Sequence, residues 1–103
     1  MTMNENYVME TLFDDLRHAI EFKCDFPIAS ISEKGFYKSI TIKGCDGNDF
    51  DYVVTKLGNI ITKTSIYYHI NITLAFDFHD NGSRMVEICS EKWKFKIYMD
   101  ISE

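Results

Sequence analysis

A chain of 103 residues, 46% apolar and with a single proline, is long enough to close one hydrophobic core without disulfide or metal staples, and it shows no linker, repeat or low-complexity run that would divide it. Its net charge of −5 is unevenly spread: residues 1–25 hold six acids (Glu5, Glu10, Asp14, Asp15, Glu21, Asp25) against two bases (Arg17, Lys23), so four of the five net charges lie there. That disfavours nucleic acid as a direct ligand, which needs a basic stripe, and the short, charge-broken apolar runs exclude a spanning helix.

A single domain over residues 1–103 is expected. The first residues lack the basic region and long apolar block of a signal peptide, which predicts a cytosolic protein. There the three cysteines, Cys24, Cys45 and Cys89, are expected as reduced thiols, being odd in number and too widely spaced for a zinc site. Asn71-Ile72-Thr73 and Asn81-Gly82-Ser83 match the glycosylation pattern, which carries no meaning in a cytosolic chain.

From about Asn4 to Lys23 the pattern predicts an amphipathic helix. Val8, Met9, Leu12, Phe13, Leu16, Ala19 and Ile20 project within an arc of ~140° at ~100° per residue. Asn4 or Asn6 can cap its start, and Asp25 and Pro27 mark its exit. Glu10, Asp14 and Glu21 gather on the opposite side within ~40°, flanked by Arg17 and His18. Asp15 projects to the edge of the apolar arc, where a backbone donor or a lysine at the core rim is its expected partner.

After Pro27 the residues read as strands. Ile28 to Ile31 forms a short one, Glu33-Lys34-Gly35 a turn, and Phe36 to Lys43 a longer one. An acidic loop from Gly44 to Asp49 then precedes a strand from Phe50 to Lys56, and Leu57-Gly58-Asn59 turns the chain so that Ile60 to Lys63 pairs back. Thr64 to His69 either extends the next strand or crosses irregularly.

The C-terminal third is a three-stranded meander whose register follows from its side chains. Ile72, Leu74, Phe76 and Phe78 alternate with polar or small residues, as do Trp93, Phe95, Ile97 and Met99: one buried and one wet face on each strand. A two-residue turn at Asn81-Gly82 would set Val86 opposite Asp77 and place the apolar sets on opposite faces. A three-residue loop Asp80-Asn81-Gly82, with Gly82 left-handed in a bulge, instead pairs Phe76 with Val86 and Leu74 with Ile88. A tight Glu91-Lys92 turn then sets Ile88 opposite Phe95, Val86 opposite Ile97, and Glu87 opposite Lys96 on the wet face. The fold class predicted is α+β: an N-terminal amphipathic helix packed on an antiparallel sheet of about five to seven strands. Trp93, Phe95, Phe76, Leu74, Leu12, Leu16 and Ile20 should meet in the core, leaving the other sheet face wet unless the early strands fold over it.

Little in the chain reads as chemistry. Asp46, Asn48, Asp49 and Asp51 form its densest oxygen-rich stretch, but the position of a bidentate glutamate in a calcium loop is Leu57, so no metal is assigned. Asp77, His79 and Asp80 cluster at a strand end with no serine or cysteine nucleophile paired to them, and His18 and His69 have no partners in sequence. Phosphate loops, nucleophile elbows and dinucleotide fingerprints are absent from the sequence, so no catalytic residue, cofactor or turnover is expected.

A small acidic domain with a helix leading into a β-rich body resembles bacterial immunity proteins, most of all those of contact-dependent growth inhibition systems. The resemblance covers the whole chain and carries no diagnostic motif, so it transfers no residue. It implies a cytosolic protein that binds the toxin domain of its cognate effector, a cationic nuclease in many cases, by forming a stoichiometric complex. The candidate contact residues come from the acidic pattern itself: the loop set Asp46, Asp49, Asp51 and the helix set Glu10, Asp14, Glu21. A phage-encoded inhibitor or nucleic-acid mimic would use the same acidity, a small ligand-binding or enzymatic domain would need a pocket between helix and sheet, and a structural module could dimerise through an exposed edge strand.

Overall fold

In the computed structural model, which describes residues 4–43, 46–79 and 82–100, the chain opens with α1 (Glu5–His18). Asn4 is its cap, the side chain accepting from the Asn6 amide at 2.8 Å. A π turn, Ala19–Lys23, follows without a break, with the Cys24 amide donating to the Ala19 carbonyl at 2.8 Å. Asp25, at φ 61°, then turns the chain out toward the sheet.

Five strands follow: β1 (Ile28–Lys34), β2 (Tyr37–Lys43), β3 (Thr73–Phe78), β4 (Arg84–Cys89) and β5 (Lys94–Asp100), with α2 (Gly47–Tyr68) between β2 and β3. They form one sheet in the order β1-β2-β5-β4-β3. β1 runs on to Lys34, so its turn lies at Gly35 and Phe36, with Gly35 at φ 59°. The early strands extend this sheet instead of folding over it. The sheet is mixed where a wholly antiparallel one was expected: β2 and β5 are parallel, Ile40 beside Ile97. The cause is α2, which carries the chain back along the sheet so that the up-down-up of the meander ends parallel to β2.

The meander has the register read from the sequence. Phe76 lies opposite Val86 and Leu74 opposite Ile88; Val86 opposes Ile97, Ile88 opposes Phe95 and Glu87 opposes Lys96. Gly82 has φ 91°. The His79 amide donates to the Ser83 carbonyl at 2.9 Å and the Gly82 amide to the His79 carbonyl at 3.0 Å, the bonding of a three-residue bulged loop. Asp80 and Asn81, the other two loop positions, lie outside the described residues, as do Gly44 and Cys45.

The segment read as two strands and a turn is instead α2. Phe50, Val53, Leu57 and Ile61 are buried at helical spacing, with Val54 and Ile60 packed beside them. Asp46 starts the helix with a reciprocal capping box: its Oδ1 accepts from the Asp49 amide at 2.9 Å, and Asp49 Oδ2 accepts from the Asp46 amide at 3.0 Å. Left-handed His69, at φ 54°, ends it. Gly58 sits mid-helix with open space where a Cβ would be. Burial along one face outweighs the ~1 kcal/mol that glycine costs there.

Both helices cover one face of the sheet, and a single core runs between the layers. Ile40, Ile42, Val86, Ile88, Trp93, Phe95, Ile97 and Met99 meet Met9, Leu12, Phe13, Leu16 and Ile20 of the N-terminal helical segment and the buried face of α2. Phe13 rests on Phe95 with ring centroids 5.1 Å apart. The first turn of α1 is clasped to the β4–β5 turn: Glu5 Oε2 accepts from Ser90 Oγ at 3.1 Å and from the Lys92 amide at 3.3 Å, and Trp93 Nε1 donates to Asn6 Oδ1 at 3.0 Å. Two expected core members fall short. Leu74 and Phe76 point to the helix side as predicted but remain 39% and 46% exposed, because β3 is the edge strand.

Candidate functional site

The acidic residues singled out from the sequence fall into two structural situations. Asp46 and Asp49 do not belong to a hairpin loop; they are the N-cap and third residue of α2, where their carboxylates satisfy otherwise orphaned amides and face the positive end of the helix dipole. Asp51, exposed in the same helix, lends only its backbone carbonyl, to the Thr55 hydroxyl. Glu10 and Asp14 are exposed on α1, with Asp14 3.5 Å from Arg17. Glu21 is half-buried in the π turn, whose wider coil breaks the ~100° step on which its alignment with the other two rested. Asp15 is exposed and lines a shallow groove of about 350 Å³ with His18, Phe22, Lys23 and Ile60.

His79 Nε2 lies 3.5 Å from Asp77 Oδ2, both well exposed at the end of β3; Asp80 is outside the described residues. Among the described residues, no three His, Cys, Asp or Glu side chains form a group that could hold a metal ion.

Three further surfaces stand out, of which the open sheet face, with Glu87 opposite Lys96, is the one expected from the sequence. A half-open cleft of about 430 Å³ beside the β4–β5 turn is lined by Glu5, His69, Asn71, Cys89, Ser90 and Glu91, residues far apart in sequence that the α2–β3 crossing brings together. Its Glu5 carboxylate is already engaged by Ser90 and Lys92. Burial, followed by the hydrogen bond the thiol donates to Glu87 at 3.2 Å, pushes Cys89 up, so the cleft presents a thiol and not a thiolate nucleophile.

The uncovered sheet face carries a polar cluster. Lys94 and Lys96 flank Glu87 at 3.7 and 3.9 Å, and the Lys96 ammonium stands 5.5 Å from the centroid of the Tyr37 ring. A hydrogen bond to Tyr37 holds Lys96 above its ordinary range, while burial, then the bond to Tyr37, raises Tyr98. This face is a network of matched cross-strand partners on parallel and antiparallel neighbours.

The third surface is β3 itself. All six of its residues are exposed, Leu74, Phe76 and Phe78 among them, with Phe78 at 61%. The Phe50 ring on the rim of α2 meets Phe76 at 6.4 Å and Phe78 at 5.8 Å between centroids, and the Arg84 guanidinium of β4 stands 5.4 Å from the centroid of the Phe78 ring. The alternation that gave the register also held this signal, since an apolar face on the strand with no further neighbour must stay open.

Compared with known proteins, the chain matches no family model, no curated protein and no solved structure. The class defined by its own geometry is an α+β protein with two helices on one face of a mixed five-stranded sheet. Among the described residues no helix is long and apolar enough to cross a membrane.

Proposed function

We propose that this protein acts by stoichiometric binding, as a cytosolic immunity protein that neutralises a cationic, nuclease-type toxin domain and has no turnover of its own. The observation that carries the reading is the placement of charge. Four of the five net negative charges belong to residues 1–25, and there Glu10 and Asp14 stand exposed on α1, whose opposite side is committed to the core.

A nuclease domain must present positive charge to phosphate, and an acidic partner is steered to that same surface. Asp51 and the start of α2 offer the second acidic approach, with Asp46 and Asp49 already spent on capping. The experiment is co-expression with the product of the adjacent reading frame, followed by affinity purification. A co-purifying cationic toxin domain whose activity is lost in the complex supports the proposal. A neighbouring toxin that stays active and unbound at equimolar protein contradicts it.

A further inference from the structure

We propose that β3 is a self-association edge: two copies of this chain pair their β3 strands antiparallel about a two-fold axis at Phe76, joining two five-stranded sheets into one. The inference goes beyond the toxin-binding reading and does not rest on it.

The backbone sets the register. Bonding between the His79 amide and the Ser83 carbonyl fixes the alternation along β3, so that Ala75 and Asp77, four and two residues back, turn their amides and carbonyls toward β4. Leu74, Phe76 and Phe78 therefore direct theirs outward, and β3 ends the sheet order. An antiparallel mate centred on Phe76 uses all three, opposing Phe76 to its own copy and Leu74 to Phe78 twice, for roughly six inter-chain hydrogen bonds. Registers shifted by two residues use fewer of these groups, and the shift toward the C-terminus sets Asp77 against Asp77.

The side chains agree with that register. On the helix side it stacks Phe76 on Phe76 and Leu74 on Phe78, apolar and aromatic pairs of the kind that stabilise strand pairing. On the open side it places Ala75 opposite Asp77 and Thr73 opposite His79, with no like charges facing. Exposures of 39%, 46% and 61% at Leu74, Phe76 and Phe78 leave about 300 Å² of apolar side chain uncovered per copy, given the ~150–250 Å² that an aromatic can bury. Doubled and joined by the ladder backbone, this reaches the order of 1,000 Å² that specific association requires.

The opposite edge is built differently. β1 carries Glu33 paired to Lys38 at 2.7 Å, ends in Lys34, and has a register irregularity between Ile28 and Ser30. Charge and irregularity of this kind discourage edge pairing. β3 has no lysine, no proline and no irregularity in its ladder with β4.

Sedimentation velocity of the full chain from about 5 to about 500 µM, a range spanning weak specific association, should show a monomer passing to a dimer. Over the same range the amides of Leu74, Phe76 and Phe78 should gain protection from hydrogen exchange while those of Ala75 and Asp77 stay as they were. L74K and F78E, each checked for native circular dichroism, should be monomeric alone and reassociate on mixing, because the ammonium introduced in one copy then lies opposite the carboxylate introduced in the other. A wild-type chain that stays monomeric throughout, a dimer with no change in exchange at Leu74, Phe76 and Phe78, or charge variants that dimerise as well alone as together would each overturn the proposal.

Discussion

Trp93 shows how one side chain ties the two layers together. Its ring is buried, lies 5.0 Å edge-on from Phe36 and 6.0 Å from Phe95, and carries the Lys38 ammonium 5.7 Å above it, while its indole N–H reaches Asn6 on α1. Trp93→Ala should cost about 3–5 kcal/mol, a large part of a small domain's stability; an unchanged denaturation midpoint would contradict the packing. Cys24 gives a pH-dependent counterpart. Burial pushes its thiol above the ordinary 9.0, opposed in part by Lys56. A group protonated in the fold but free to ionise in the unfolded chain contributes its full share below the unfolded pKa and loses it as pH rises through the higher folded value. Between about pH 8 and about pH 10 the wild type should therefore lose more stability than Cys24→Ala, measured by urea denaturation at each pH. Equal slopes for the two proteins would show that the thiol is not held protonated by the fold.

At the level of elements, the meander was legible because two loop lengths had to satisfy two faces at once, and Phe76, Val86 and Ile97 admitted only one solution. The segment that became α2 was misread for three local reasons. Val53-Val54 and Ile60-Ile61 are β-branched doublets, Leu57-Gly58-Asn59 looks like a turn, and Asp46 to Asp51 looks like a polar loop. The helical spacing of Phe50, Val53, Leu57 and Ile61 was the stronger signal, and Asp46 with Asp49 three residues on was its start. Two of the three predicted partner-binding residues on this segment thus have a structural duty. Asp46→Ala should cost about 0.5–2 kcal/mol through the lost cap, and Asp49→Lys should also destabilise, by placing a cation at the positive end of the helix. Asp51→Lys should leave stability within about 0.5 kcal/mol. Thermal melts of the three variants check the division; equal melting temperatures would return Asp46 and Asp49 to a surface role.

Across the whole molecule, the helices commit one face of the sheet to the core and leave the acidic outer side of α1, the open face around Tyr37 and Glu87, and the β3 edge as three separate surfaces. The charge pattern that distinguishes α1 was visible in the sequence, whereas the cleft beside the β4–β5 turn was not, since Glu5, His69 and Cys89 meet only after the α2 crossover. If neutralisation of a cationic toxin is the function, long-range attraction sets the encounter rate and buried contacts set the affinity. The decisive measurement is the association rate of the purified protein with its cognate toxin domain across a series of salt concentrations, for the wild type and for Glu10→Lys/Asp14→Lys. The wild type should form one complex per toxin, with association slowing steeply as salt rises, and the double variant, equally stable, should associate more slowly with a flatter salt dependence. A complex whose association is indifferent to both salt and the reversal would contradict recognition through this acidic face.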